Sequence, residues 1–149
     1  EVEENTRAAH SLLSSFPKMN IQIRKHVYAD GVKNPEYLIN DNIADRKGIE
    51  SPNGVTSGFN KAIKQGCSVV VLDLDMHPDK FKYLPSRKLA SAINNRHMDF
   101  EDGIISECYI IYNNKAVKIT ADFFSDDTKQ TKERIRTELE KIKGDRSHL

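Results

Sequence analysis

The sequence contains no tryptophan and only two cysteines, Cys67 and Cys108, among 149 residues. Two cysteines cannot build a disulfide framework, and each lies in an apolar run that reads as strand. Both are expected as buried free thiols rather than as a bridge or part of a metal cluster. No run approaches the roughly 18 apolar residues of a membrane-spanning helix, so a soluble domain without membrane contact is expected. An excess of one charge sign is missing as well. The chain has 23 Lys and Arg against 22 Asp and Glu, a formal net charge of +1, which excludes the bulk positive field of a nonspecific nucleic-acid coat. A local basic cleft remains compatible with that balance. The chain shows no signal-like or transit-like composition, and a start at Glu1 is expected equally of a domain cut from a longer polypeptide and of a processed chain.

What is present is a change of hydrophobic period along the chain. Ala8, Ala9, Leu12, Leu13 and Phe16 fit one face of a helix over 3–16, which Pro17 stops. The alternation in 19-MNIQIRKHVY-28 suits a half-buried strand before an Asp30-Gly31 turn. Residues 36–39 and 43–47 flank the polar 40-NDN-42 and predict a hairpin. Thr56 or Ser57 is expected to cap a helix through Gln65, with Phe59, Ala62 and Ile63 inward and Gly66 as its stop. The run 67-CSVVVLDLD-75 has too little alternation for a strand with one wet face and predicts a central strand covered on both sides. Residues 76–84 read as loop, 86–97 as helix, and 104–112 as a second buried strand. Its partner, 115–119, follows across Asn113-Asn114. A charged terminal helix over 126–143 carries Ile135, Leu139 and Ile142 on one narrow stripe. It is either a solvated lid with one face on the core or a surface contacting RNA or a protein partner through Lys129, Lys132, Arg134 and Arg136. The whole predicts one α/β domain with a mixed central sheet flanked by helices, and 125–149 as its charged helix and tail.

The stretch that can carry chemistry is 34-NPEYLINDNIADRK-47. Asp45 and Lys47, two apart on a strand, share a face, and the short hairpin can bring Glu36 toward them. Two carboxylates beside a lysine can bind a divalent cation and orient water at a phosphodiester, while the lysine neutralises developing phosphate charge. An ordinary polar hairpin with an ion pair satisfies the same pattern. The order of a first helix with Glu4, an acid after proline, Asp45-x-Lys47 on the next strand, a helix, and the buried 67-CSVVVLDL-74 resembles the PD-(D/E)xK nuclease fold. Closer still, 33-KNPEYLINDNIADRKG-48 and 59-FNKAIKQGCSVVVLDLD-75 are similar to the C-terminal transfer-RNA nuclease toxin domain of CdiA proteins, the effectors of bacterial contact-dependent growth inhibition. The resemblance covers about residues 4 to 119.

That resemblance implies an endoribonuclease toxin cleaving tRNA, with the single-stranded acceptor end as the expected target. It also implies a cognate immunity protein, elongation factor Tu as a partner presenting the tRNA, and a place at the C-terminal end of a secreted or cell-surface effector acting in the target-cell cytoplasm. Asp45 and Lys47 match the end of the nuclease motif, and Glu36 stands where the pattern more often has Asp. Glu4 matches the acid that the first helix sometimes supplies. The group includes metal-independent members, so no cofactor is expected. In the alternative, a DNA endonuclease, Glu36, Asp45 and Glu4 would hold Mg, Mn or Zn. RNA brings its own 2′-hydroxyl nucleophile, so a general base, a general acid and a cation suffice.

His97, expected at a helix end beside Arg96 and Asp99, is the candidate acid or base. Lys61, Gln65, Arg87 and Arg96 are the candidate phosphate contacts, with Lys88 beside them. Tyr37 and Phe100 can stack on unpaired bases or pack in the core. His10 flanks the cleft or covers the core edge. His26 and His148 have no clear role. Asp73, Asp75, His77 and Asp79 read as a solvated acidic turn rather than a metal cluster. A noncatalytic RNA- or protein-binding domain is the third reading.

Overall fold

The computed structural model describes residues 2–25, 31 and 34–144. His26, Lys33, His148, the end of the strand expected over 19–28 and most of its turn lie outside them. In chain order the elements are α1 (Val2–Ser15), β1 (Ile21–Ile23), β2 (Tyr37–Ile39), β3 (Asn42–Gly48), α2 (Gly54–Lys64), β4 (Val69–Asp73), α3 (Ser86–Asn94), α4 (His97–Glu101), β5 (Glu107–Tyr112), β6 (Lys115–Thr120) and α5 (Thr128–Glu140).

Six strands form one mixed sheet in which spatial order follows chain order. The two hairpins are antiparallel, as is β1 against β2, whereas β3, β4 and β5 run parallel. Both parallel links step the same way across the sheet. Because such crossovers are right-handed, their helices land on the same face. That face carries the core of Phe59, Leu72, Leu89, Ile93, Ile110 and Leu139, so α2, α3 and α5 cover it. The other face carries Tyr37, Ile39, Val69, Val71, Tyr109 and Ile111 under Ala8 and Leu12 of α1. The expected mixed sheet flanked by helices is present.

Local chemistry explains the hairpins. Asn40 and Asp41 join β2 to β3 at φ 48° and 69°, and Asn113 and Asn114 join β5 to β6 at 56° and 60°. Two successive left-handed residues give the turn whose twist matches paired strands, and Asn and Asp tolerate that region best after glycine. All five residues of β4 are buried, as its unbroken apolar run predicts. Cys67 and Cys108 are free and buried.

Four expectations need correction. The helix expected to start at a Thr56 or Ser57 cap begins at Gly54, and Asn53 before it makes no side-chain cap bond. Instead, a backbone turn leads in, with Gly54 N–H donating to Ser51 O and Val55 N–H to Pro52 O, so the first donors are already satisfied. The helix over 86–97 breaks after Asn94 and His97 opens the separate α4. This turn places Phe100 in the core, its ring 4.6 Å from that of Phe124 and 5.9 Å from that of Phe59. The loop 76–84 holds a helical turn at Pro78–Lys80, just after another at Leu74–Met76. The acidic turn is solvated only at its far end: Asp79 is exposed, whereas Asp73 is fully buried and Asp75 accepts hydrogen bonds from the backbone N–H groups of Asn113 and Asn114 at 2.9 and 2.8 Å.

The terminal helix lays one face on the core, as its narrow apolar stripe predicts. Thr131, Ile135 and Leu139 are buried in it, and Ile142 just beyond it. Leu139→Ala should therefore destabilise the domain by about 2–5 kcal/mol, the cost of a buried leucine cavity. Urea unfolding would measure this, and an unchanged midpoint would contradict the assignment.

Candidate active site

Strand alternation divides the charges of β3 between the two faces of the sheet. Asp45 and Lys47 point toward α2, and Arg46 points toward α1. Lys47 Nζ lies 2.9 Å from Asp45 Oδ2, with the Asp45 side chain 3% and the Lys47 side chain 23% exposed. The second carboxylate oxygen, Asp45 Oδ1, is buried without a hydrogen-bond partner among the described residues. A buried acceptor left bare is costly, so the pair holds an unused acceptor beside an ammonium group.

Gly58 lets α2 sit this low over β3. A Cβ built there would meet Leu72 Cδ2 at 3.1 Å and Lys47 Cβ at 3.5 Å. Gln65, closing the same helix, accepts from the backbone N–H of Asn34 at 3.1 Å, which ties the approach to β2 to α2. Cys67 lies within the field of Asp45. Burial first, and then that negative charge, push the thiol up to about 12, so it stays protonated and unreactive.

The remaining candidate carboxylates go elsewhere. Glu36 Oε2 stands 3.4 Å from Arg46 Nε, and Glu4 Oε2 accepts from Arg7 Nη2 at 2.9 Å. Glu4, Glu36 and Asp45 thus each have a different cation, and the structure does not gather them around one point. Among the described residues no group of three or more His, Cys, Asp or Glu has the geometry to hold a metal ion. The three do not fit a single metal site.

The other candidates are dispersed. His97 Nδ1 faces Glu101 Oε2 at 3.3 Å on its own short helix and has no described contact with Asp45 or Lys47. Arg96 bonds to Asp99 at 2.7 Å and lies over the Phe59 ring at 5.5 Å, so its guanidinium is engaged in holding α4 to α2. Lys61 is exposed on α2 and Arg87 on α3, on the covering layer of the Asp45 face. Tyr37 and Phe100 are buried in the core, which removes both as base-stacking platforms. His10 is exposed on α1 and lines a groove of about 670 Å³ with Arg7, Ser11 and Ser14, on the α1 side of the molecule.

A group that sequence reasoning passed over occupies the α1 face. Asp73 Oδ2 accepts from Arg7 Nη2 and faces Arg46 Nη1 at 3.5 Å, while Arg46 Nε donates to Asn5 Oδ1 at 3.0 Å. The Tyr37 hydroxyl donates to the Asn5 carbonyl at 2.8 Å. Burial pushes the Asp73 carboxyl above its ordinary value, with Arg7 and then Arg46 pulling it back. The signal was in the sequence. A residue between Asp45 and Lys47 must face the opposite side, and Asp73 ends a run with no wet face.

No family model matches the chain, and searches of curated proteins and of solved structures returned no match.

Proposed function

We propose that this domain is an endoribonuclease acting on tRNA, with a PD-(D/E)xK-like fold and the Asp45–Lys47 pair as its catalytic face. The observation that carries this reading is the pair itself: a buried carboxylate with one unbonded oxygen, 2.9 Å from a lysine that reaches solvent on the same strand face. The element order supports it, since a first helix, a hairpin ending in Asp45-x-Lys47, a helix and a buried strand follow in the sequence that the toxin resemblance implies.

Lys47 covers Asp45 and carries the accessible charge of the pair. An incoming phosphate draws Nζ away from Asp45 Oδ2 by a side-chain rotation, which exposes the carboxylate. Asp45 then takes the proton of the 2′-hydroxyl as its oxygen attacks phosphorus. Lys47 balances the charge growing on the phosphoryl oxygens, and the departing 5′-oxygen takes a proton from Lys47 or water. The products are a 2′,3′-cyclic phosphate and a 5′-hydroxyl. The toxin setting adds a cognate immunity protein and elongation factor Tu as partners, and delivery from a larger bacterial effector into a target-cell cytoplasm.

Purified domain should cleave total tRNA, with chelator present, and leave duplex DNA intact. End mapping should find cyclic phosphate near the acceptor end, with added elongation factor Tu raising the rate. Cleavage of DNA alone, or loss of activity with chelator, would replace this reading by a metal-dependent DNA endonuclease. His97 lies outside the pair on this reading, and His97→Ala should cleave at the wild-type rate.

A further inference from the structure

The near-neutral chain segregates its charge. Residues 51–72 and 81–98 contain six cations, Lys61, Lys64, Lys82, Arg87, Lys88 and Arg96, and no aspartate or glutamate. These segments include the whole of α2 and α3, the helices over the Asp45–Lys47 face of the sheet. On α3 the buried side is Leu89, Ala90 and Ile93, so the helical period turns Arg87, Lys88, Ser91 and Asn95 outward together. Against them stand Ser51 and Asn53 of the lead-in to α2, and the two sides enclose an open groove of about 550 Å³. Every polar side chain lining this groove is a cation, a hydroxyl or an amide.

The cations there are available. Lys88 makes no ion pair among the described residues, while Arg136 engages Glu133 and Glu140 on α5. Arg87 is without an ion pair among the described residues, although it lies close enough to Glu133 to help lower that carboxyl. Two cations without an ion pair among the described residues, with flanking hydroxyls and amides, are the donor set that contacts phosphate oxygens in nucleic-acid complexes, and a groove lining without carboxylates lessens the repulsion a polyanion would meet. We propose that the groove between residues 51–53 and α3 binds the RNA phosphodiester backbone, on the helical layer that covers the Asp45–Lys47 face. This inference rests on the nuclease reading for its purpose, though not for its chemistry.

The test is fluorescence-anisotropy titration of labelled tRNA, and of a duplex DNA of similar length, with the full 149-residue chain carrying D45N so that the RNA survives. R87Q/K88Q should bind tRNA roughly tenfold or more weakly at about 0.1 M salt. Loss of two phosphate contacts should also flatten the slope of log K against log salt by about 1.4 to 1.8. R87K/K88R should retain the affinity, and equal thermal melting of the three chains checks the fold. Unchanged tRNA affinity and slope in R87Q/K88Q, as an acidic protein partner for this groove would give, overturns the proposal, as does a loss confined to DNA. The two readings fail separately. If D45N still cleaves while R87Q/K88Q has lost affinity for a 2′-O-methylated RNA, which offers no 2′-hydroxyl nucleophile and survives, the catalytic pair falls and the groove stands. If D45N is inactive while R87Q/K88Q binds as before, the groove falls and the pair stands.

Discussion

The D45N chain is expected to lose tRNA cleavage by about 100-fold or more while staying folded, because the amide keeps the shape of the carboxylate but cannot take up the 2′-hydroxyl proton. The fold should tolerate the change. Asp45 has one oxygen on Lys47 and one without a partner, so its replacement strands no other buried group, and Lys47 can turn to solvent. Lys47→Met tests the other half of the pair. It removes the ammonium but keeps the stem that packs beneath Gly58, so cleavage should fall while tRNA affinity falls much less. Single-turnover rates with saturating tRNA would separate the two effects. Wild-type rates in D45N, with matching thermal melts, would remove Asp45 from the chemistry.

Arg46→Met is expected to destabilise the domain by about 3–5 kcal/mol near neutral pH, the cost of breaking a buried charge cluster on one side only. Arg46 is nearly inaccessible and faces two carboxylates, one of which, Asp73, is wholly buried. Arg7 alone then remains against Asp73. The pH dependence has a definite sign. Burial already raises the Asp73 carboxyl, and such a group favours the fold fully below its unfolded value and loses that share as pH rises through the folded one. Removing Arg46 raises the folded value further, so the deficit should widen with rising pH and narrow in acid as Asp73 takes up a proton. Urea unfolding of both chains across a pH series from about 4 to about 8 would show it. R46M/D73N should recover part of the loss, because the double change removes both buried partners. An R46M deficit that is flat with pH would show that Asp73 is not the group left exposed by the change.

Much of this fold was legible because its elements follow clean periods. The helix of Ala8, Leu12 and Phe16, the hairpins at Asn40-Asp41 and Asn113-Asn114, and the buried strand through Val69–Asp73 are each specified within a few residues by spacing and turn chemistry. Helix ends were less legible, since they are decided by backbone bonds, Gly54 N–H to Ser51 O at the start of α2 and Asn95 N–H to Ser91 O at the end of α3, rather than by a capping side chain. In the candidate site, alternation placed Asp45 and Lys47 on one face correctly. Alternation did not reveal that Glu36, one residue before its strand, reaches Arg46, because a side chain outside the paired ladder takes its direction from the charge it finds.

The scarcities of the sequence set limits that the structure fills in a specific way. With two cysteines and no tryptophan, the domain had to be held by a core of aliphatic, phenylalanine and tyrosine side chains and by polar groups, and its runs of valine, leucine and isoleucine already marked the strands at the centre of that core. Its nearly equal charges determined nothing about their own arrangement. Only the tertiary structure decided that Asp73, Arg46 and Arg7 meet beneath α1, that Asp45 and Lys47 face α2, and that α2 and α3 present cations without carboxylates. The reason is range. Hydrophobic period and turn preference act between residues a few positions apart, whereas an ion pair such as Arg7 with Asp73 joins residues brought together only when helix and strand pack.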